Sequence, residues 1–176
     1  MKKYFCSWHD LYPIEVEYEN EEIVRMTEYM VWKKPTVYEK DDIKWYKNIL
    51  GHEISKNAYE ELITYKKKRD HTLQIPHFTA EMRGKVTYAS YDRPIKIIFN
   101  PEKKRMENYY YSGNGKYVTA AAGDMSYLTK EQFDEECRER DQEIKDGKRE
   151  IPEKLLKGTD AKVYEEVEEG IMKKIP

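Results

Sequence analysis

Four histidines are the side chains of this chain best suited to bind a metal or to move a proton near neutral pH. They are His9, His52, His71 and His77. His71 and His77 are close in sequence, but the four donors that a zinc site uses, at short and paired spacings, do not cluster around them. The spacing therefore predicts surface or loop histidines, and it predicts neither a metal site nor a cofactor.

The two cysteines, Cys6 and Cys137, are far apart and form no CxxC pair. We expect free thiols in a reducing cytosol rather than a disulfide framework. Cys6 and His9 are three residues apart next to a predicted strand, so their side chains point to opposite faces and do not form a nucleophile–base pair. Cys137 lies in an acidic helix, which is expected to raise the pKa of its thiol.

The segment Gly113-Asn114-Gly115-Lys116 contains the glycine–lysine pair of a phosphate-binding loop. The complete motif requires GxxxxGK followed by serine or threonine, between a strand and a helix. Here Tyr117 follows the lysine, and a second strand follows. We therefore interpret the segment as the turn of a β-hairpin, because glycine and asparagine tolerate the positive φ of such turns.

An enzyme is retained as an alternative, in the form of a small nuclease or nucleotide-processing enzyme. Its first candidate catalytic residues flank a predicted loop–strand junction. They are His71, His77, Asp92 and Arg93. The sequence does not assemble them into one acid–base site, so we favour a protein without catalytic activity. A further alternative is a small-molecule or nucleotide-binding protein with an aromatic pocket built from Trp8, Trp32 and Tyr91.

Tyrosine is the most distinctive residue type, with 16 copies in 176 residues. Three of them are consecutive, so a strand over residues 108–112 places tyrosine rings on both faces of its sheet. One face can be core, and tyrosine suits the other because it is enriched in protein interfaces. We predict that residues 109–118 form part of a surface that binds a protein partner or a second copy of the chain. The residues of this surface are Tyr109, Tyr110, Tyr111, Lys116 and Tyr117.

The charges nearly balance, with 32 basic against 34 acidic residues and a net charge of −2, which is not the basic excess of a nucleic-acid coat. Residues 131–143 hold seven acids and two arginines, and such a stripe could imitate a phosphate backbone in the groove of a partner. The candidate acidic residues are Glu135, Glu136, Glu139 and Glu143. Basic segments at 33–34, 66–69 and 103–105 lie near aromatic residues, which leaves nucleic-acid contact as an alternative.

The elements that must position these residues begin with an antiparallel meander over residues 2–39. Ile14, Val16 and Tyr18 alternate with glutamates at the period of a strand with one exposed face. A short helix near residues 45–50 is predicted to close at Gly51. The clearest helix follows Ser55, whose side chain can accept a hydrogen bond from the first turn.

The second half of the chain begins with strand character. Residues 84–99 are predicted to form two strands around a turn at residues 92–94, because Asp, Arg and Pro favour a turn there. Residues 108–112 and 116–122 are predicted to form the hairpin described above. These strands extend the antiparallel character of the first half.

The last third is predicted to be helical. Thr129 and Gln132 form a capping box for a helix over residues 130–146, which ends at a glycine. A short helix is expected over residues 152–158, and a final helix over residues 160–174. About three helices, over residues 55–69, 130–146 and 160–174, are expected to pack on the sheet.

These elements predict an α+β fold, in which an antiparallel sheet made of the N-terminal meander and the later hairpin is packed by helices. A chain of 176 residues is the usual size of one domain, so we predict a single domain over residues 1–176. Two sub-parts, residues 1–70 and 84–176 joined by residues 70–83, are the alternative. The N-terminus lacks the apolar run of a signal peptide, and no segment approaches the length of a membrane span.

The N-terminal part carries three short motifs in order: Cys6-Ser7-Trp8, Leu11-Tyr12-Pro13 and Val16-Glu17. In this it resembles small uncharacterised proteins of phages and prophages, which have a Cys-Ser-Trp strand, a Tyr-Pro turn and a Val-Glu strand. The resemblance covers residues 4–70 and does not extend to the longer C-terminal half. It implies a mobile-element origin and a location in the cytoplasm of a bacterial host, and it implies no activity.

We therefore predict a non-catalytic, macromolecule-binding protein of a phage or mobile element. Small phage proteins without catalytic motifs often act by binding, so the specific form we favour is an inhibitor of a bacterial defence complex, similar to an anti-CRISPR protein. The expected partner is a protein of the host complex or a second copy of the chain. Nucleic acid is an alternative partner, and no membrane is expected.

Overall fold

A computed structural model describes residues 1–31, 33–119, 123–149 and 162–176. The chain divides into two compact units. The first unit comprises Met1–Arg83 and Asn100–Met106, and the second comprises Gly84–Phe99 and Glu107–Pro176. All strand pairs between described residues are antiparallel, as the α+β prediction requires. No helix within the described residues is both long enough and apolar enough to cross a membrane.

The first unit is built on a five-stranded sheet in the order β4-β3-β2-β1-β5. The strands are β1 (Lys2–Ser7), β2 (Pro13–Glu19), β3 (Glu22–Glu28), β4 (Thr36–Glu39) and β5 (Leu50–Ile54). The predicted alternation in β2 is confirmed, because Ile14 and Val16 are fully buried between less buried glutamates. The meander therefore forms because one face of these strands supplies the core.

Helices lie against this sheet in the first unit. They are α1 (Ile43–Tyr46), followed by a 3₁₀ turn over Lys47–Ile49, then α2 (Lys56–Lys68) and α3 (Pro76–Met82). Helix α1 packs on β3 and β4, α2 packs on β1 and β2, and α3 packs on β5. Ile43 of α1 joins a core cluster with Ile14 and Met26, whereas the ring of Tyr59 on α2 lies 4.6 Å from that of Tyr4 on β1.

Helix α2 matches its prediction. The Ser55 side chain accepts a hydrogen bond from the Ala58 N–H at 3.2 Å, which satisfies one of the N–H groups left free in the first turn. Arg69 ends the helix in a left-handed conformation, with φ of 52°. The predicted helix end at Gly51 is wrong, because Gly51 lies inside strand β5. Sequence reasoning took this glycine for a helix terminator, but its role is to allow a close approach between two strands.

The second unit contains a seven-stranded sheet in the order β10-β6-β7-β8-β9-β11-β12. The strands are β6 (Val86–Ser90), β7 (Pro94–Asn100), β8 (Arg105–Gly113), β9 (Lys116–Thr119), β10 (Ser126–Leu128), β11 (Val163–Glu168) and β12 (Ile171–Lys174). Helix α4 (Lys130–Lys145) packs on β6 and β10. Both halves of the predicted Thr129–Gln132 capping box are present, and Phe133 is buried beneath the helix.

The predicted helix over residues 160–174 is wrong in its described part. Strands β11 and β12 form a hairpin there, and β11 pairs with β9. The apolar spacing of Tyr164, Val167 and Ile171 fits a helix, but Gly170 has φ of 73° and turns the chain. Glycine disfavours a helix interior, and the free edge of β9 offers a ladder of backbone hydrogen bonds. The short helix predicted over residues 152–158 lies outside the described residues, as does the end of the predicted strand over 116–122.

Candidate functional site

The tyrosines predicted to form a binding surface are buried in the core of the second unit. Tyr109, Tyr110 and Tyr111 are each about 5% exposed, as is Tyr117. The prediction of an exposed surface here is therefore wrong. Strand β8 lies between β7 and β9, and neither of its faces is open at these positions. Lys116, the remaining member of the predicted surface, is half-buried on β9.

Carboxylates satisfy the hydroxyl groups of two of these buried tyrosines. Tyr109 donates to Glu107 at 3.0 Å, and Tyr111 donates to Asp141 of α4 at 2.8 Å. Asp141 also accepts a hydrogen bond from the Asn114 N–H at 2.8 Å, which ties the hairpin turn to the helix. Burial raises the pKa of Tyr111 above its ordinary value, with the neighbouring Asp141 adding to the shift. These tyrosines therefore act as structural hydrogen-bond donors.

The acidic helix α4 does not present a continuous acidic surface. Glu136 accepts a hydrogen bond from the Ser90 hydroxyl at 2.7 Å, Glu143 pairs with Arg149, and Glu135 pairs with Arg138. Asp134 pairs with Lys130 at 2.8 Å, and Asp141 is held by the hairpin. Among the four candidate residues, Glu135 and Glu139 are exposed. Three of the seven acids over residues 131–143 are thus paired with cations, and two more are held by hydrogen bonds within the chain, which argues against a phosphate-backbone mimic.

Burial is also the main influence on the pKa of the cysteine of this helix. It raises the pKa of the Cys137 thiol to about 12, an effect that Lys96 opposes and that Asp134, Asp141 and Glu136 reinforce. The predicted direction is confirmed, but burial rather than the acidic neighbours is the main cause. Both cysteines are free thiols, and Cys6 is fully buried. Neither has the exposed, electropositive setting of a catalytic thiol.

The four candidate catalytic residues pair within their own units. In the first unit, the His71 Nδ1 lies 3.2 Å from the Tyr65 hydroxyl, and the His77 Nδ1 lies 2.5 Å from Glu61. In the second unit, the Arg93 guanidinium contacts both carboxylate oxygens of Asp92, at 3.3 Å and 3.1 Å. Within the described residues, no three His, Cys, Asp or Glu side chains group as metal ligands. Of the predicted aromatic pocket, Trp8 lies in the first unit and Tyr91 in the second, and Trp32 is outside the described residues.

His77 lines an open groove between α2 and α3 with a volume of about 470 Å³. The lining residues are Asn57, Glu60, Glu61, Thr64, Leu73, Gln74 and His77. A carboxylate that orients an imidazole is an arrangement used in acid–base catalysis, but such a base is usually desolvated. The His77 side chain is 59% exposed, and the Thr64 hydroxyl donates to a backbone carbonyl rather than to the imidazole.

The observed role of Glu61 is to cap α3. Its two oxygens accept the backbone N–H groups of His77 at 3.2 Å and Phe78 at 3.0 Å, which are left free at the start of that helix. Burial by itself would raise the pKa of Glu61, but the hydrogen bonds from Phe78 and His77 outweigh it, so the pKa is lowered. The groove therefore has a structural explanation.

We expect Glu61→Ala to lower the free energy of unfolding by about 1–2 kcal/mol at pH 7, because two backbone N–H groups lose their acceptor. Because the pKa of Glu61 is lowered in the folded state, the stabilisation is complete above the unfolded pKa of about 4.3 and is lost as the pH falls further. Urea denaturation should show that the free energies of unfolding of the wild type and Glu61→Ala differ less near pH 3 than at pH 7. Glu60→Ala, at an exposed position next to it, is the control and should change stability by less than about 0.5 kcal/mol; an equal effect of the two substitutions would contradict the capping role.

Sequence reasoning missed an exposed aromatic surface in the first unit. Trp45 is 72% exposed and Tyr46 is 45% exposed, and the Tyr46 ring lies 4.6 Å from the ring of Tyr38 on strand β4. We call Trp45, Tyr46 and the edge of strand β4 the β4–α1 surface. The sequence feature that could have revealed this surface is the adjacent Trp45-Tyr46 pair on a very short helix. Ile43 occupies the buried position of that helix, so its neighbours cannot also face the core.

This surface lies at an edge of the sheet and carries positive charge. Among the described residues, strand β4 pairs only with β3, and α1 packs on both of these strands. The exposed charged residues of the segment that contains it, residues 33–47, are Lys33, Lys34, Glu39, Lys40, Asp41, Asp42, Lys44 and Lys47. They sum to +2, from five lysines and three acids. The Lys44 ammonium lies 5.6 Å from the centre of the Trp45 ring.

Comparison with protein-family models, with curated proteins and with solved structures found no match. The fold and the β4–α1 surface therefore carry the functional argument.

Proposed function

We propose that this protein acts by binding another protein through the β4–α1 surface, without making or breaking covalent bonds. The observation that carries the proposal is the 72% exposure of Trp45. Leaving a tryptophan ring in water forgoes the burial of a large apolar area. Tryptophan and tyrosine are also the residues that contribute most often to binding hot spots.

The partner that fits this surface is a protein with an acidic rim around an apolar pocket. The exposed charged residues of segment 33–47 sum to +2, and complementary charges raise the association rate. Strand β4 is also an edge strand, so a partner strand could add to the sheet beside Val37. An aromatic anchor next to an open strand edge supports one continuous contact.

The more specific proposal is that the partner belongs to a bacterial defence complex and that the chain is encoded by a phage or mobile element. Its support is the resemblance of residues 4–70 to phage and prophage proteins. Infection of a defended bacterial host that expresses this chain is the direct test. Under this proposal, expression restores phage plaques, and Trp45→Ala abolishes the restoration.

We expect Trp45→Ala to weaken partner capture at least about thirtyfold, which corresponds to about 2 kcal/mol, the threshold of a hot spot. The measurement is quantitative affinity capture from a bacterial lysate with the wild type and each variant at equal concentration. The matched control is Tyr127→Ser, which removes a tyrosine that is 47% exposed in the second unit. It should leave capture unchanged.

Equal capture by the wild type and Trp45→Ala would overturn the proposal, provided that circular dichroism shows the variant to be folded. Sedimentation velocity of the purified chain tests self-association, and a dimer that Trp45→Ala dissociates would replace the foreign protein with a second copy. Titration with a single-stranded oligonucleotide, followed by tryptophan fluorescence, tests the remaining alternative. Saturable quenching that Lys44→Ala weakens would favour nucleic acid instead.

A further inference from the structure

A buried arginine in the second unit has an unsatisfied nitrogen. Arg140 on α4 is 9% exposed, and within the described residues its Nε has no hydrogen-bond partner. Most buried charges are paired, because moving an isolated charge out of water is costly. Arg93, Arg138 and Arg149 each have a carboxylate partner. Arg140 is therefore the side chain in this part of the structure that a bound ligand is expected to pair with.

Two further arginines converge on Arg140. On the same face of α4, Glu136 lies one turn before it and Glu143 one turn after it. The Ser90 hydroxyl donates to Glu136, which holds the turn that carries Arg93 against this face. Glu143 pairs with Arg149 beyond the end of the helix. Helix geometry thus places Arg140 between Arg93 and Arg149.

The electrostatics of Arg140 agree with this placement. Burial lowers the pKa of its guanidinium below the ordinary value, and the positive charges of Arg93 and Arg149 lower it further. Asp92 and Glu143 act in the opposite direction but do not cancel these effects. The five side chains that set this pKa carry three positive and two negative charges.

We propose that Arg93, Arg140 and Arg149, which we call the arginine site, bind the phosphate group of a small molecule. A guanidinium presents its N–H donors in a planar fork that matches the oxygens of a phosphate. The carboxylates of Asp92 and Glu143 already hold the outer two arginines in place, so the site is organised before the anion arrives. The bound oxyanion supplies a hydrogen-bond acceptor for the Arg140 Nε.

A free phosphate ion and the phosphate group of a nucleotide would bind the three arginines in the same way. Tyr91 is the residue that can favour one of these two ligands over the other. Tyr91 lies two residues before Arg93, its side chain is 63% exposed, and one face of its ring lies 3.7 Å from the position that a Cβ on Gly123 would occupy. An exposed aromatic ring can stack on a base. A nucleotide therefore gains affinity from Tyr91, whereas inorganic phosphate does not.

The test is isothermal titration calorimetry of the full chain with inorganic phosphate and with adenosine 5′-monophosphate. Adenosine and acetate serve as control ligands. We expect saturable binding of phosphate that Arg140→Met weakens at least about tenfold, since charged hydrogen bonds are lost. Arg138→Met is the matched control, because Arg138 is exposed two residues away on the same helix and pairs with Glu135. It should leave phosphate binding unchanged.

Stability adds a measurement that does not depend on the ligand. Without phosphate, Arg140→Met should have a melting temperature equal to or above that of the wild type, because it removes a buried charge with an unsatisfied nitrogen. With phosphate, only the wild type should gain several degrees. Arg93→Gln, at a more exposed position, should also weaken phosphate binding and gives a second variant should Arg140→Met fold poorly.

The inference is overturned if phosphate does not bind, if acetate binds equally well, or if Arg138→Met weakens binding as much as Arg140→Met does. If Tyr91→Ser binds adenosine 5′-monophosphate more weakly than the wild type but binds phosphate equally well, the ligand is a nucleotide. If Tyr91→Ser binds both ligands as the wild type does, the ligand is free phosphate. The inference is independent of the β4–α1 surface, which lies in the other unit. Trp45→Ala should therefore leave phosphate binding intact.

Discussion

Lys96→Met is expected to lower the free energy of unfolding by about 3 kcal/mol, because it leaves the carboxylate of Glu166 without its partner in a largely buried position. The Lys96 ammonium lies 2.5 Å from Glu166, and the two side chains are 9% and 21% exposed. Methionine keeps the length and the apolar stem of lysine, so the loss of stability reports on the removed charge. Urea denaturation followed by far-UV circular dichroism measures this change in the free energy of unfolding.

Aromatic rings around the Lys96 ammonium add to the expected loss. The ring centres of Phe133, Tyr117 and Tyr88 lie 5.3, 5.6 and 5.8 Å from its nitrogen. Such cation–π contacts contribute up to about 2 kcal/mol when the cation is desolvated. Glu166 also accepts a hydrogen bond from the Gly170 N–H at 2.9 Å. The pair therefore links β7 to the hairpin of β11 and β12, which the sequence had predicted as a helix.

The matched control is Lys130→Met, which breaks the pair between Lys130 and Asp134 on the surface of α4. These side chains are 53% and 47% exposed, and such a pair contributes less than about 1 kcal/mol. In the double variant Lys96→Met with Glu166→Leu, more than half of the loss should be recovered, because no unpaired charge remains. A loss in Lys96→Met no greater than in the control would contradict the role assigned to this pair.

Gly51→Ala is expected to destabilise the first unit by about 3 kcal/mol or more, since overpacking against a rigid backbone is costly. A Cβ at this position would lie 2.3 Å from the Cys6 carbonyl oxygen and 3.1 Å from backbone atoms of Ser7 and Trp8. These atoms belong to β1 and the residue after it, where the pairing register with β5 shifts between Phe5 and Ser7. A backbone in a paired strand cannot move aside as a flexible side chain can.

All three tryptophans lie within residues 1–83, so tryptophan fluorescence during urea denaturation reports on the first unit. Gly123→Ala is the matched control, and because Gly123 lies in the second unit, far-UV circular dichroism is also recorded for both variants. The nearest atoms to a Cβ at Gly123 are those of the Tyr91 ring at 3.7 Å, an ordinary contact, and no positive φ is required there. Its effect should be below about 0.5 kcal/mol. Equal stability of Gly51→Ala and the wild type would show that β1 and β5 can separate without cost.

The parts of the fold that were predictable from sequence rest on local interactions. The caps of α2 and α4 were visible because Ser55 and Thr129 bond to N–H groups only three residues away. The hairpin of β8 and β9 was visible because Gly113 and Asn114 both adopt positive φ. The alternation in β2 was visible because one face of a strand repeats every second residue.

The candidate sites were less predictable, because exposure depends on what the rest of the chain covers. Tyr109 to Tyr111 have the composition of an interface, but their neighbours in the sheet and helix α4 bury them. Arg140 was counted only as one of two positive charges in an acidic helix. Its isolation becomes visible once Glu143 and Asp92 are seen to pair with other arginines.

By itself, the sequence determined the antiparallel strands, the two capped helices and the hairpin turn, because each follows from hydrogen bonds or side-chain periodicity within about ten residues. The tertiary structure alone decided that the tyrosines are buried, that Trp45 is exposed, that residues 163–174 pair as strands and that Gly51 lies against β1. Those outcomes depend on contacts between residues far apart in the chain. A local pattern cannot specify which distant segment will cover it or pair with it.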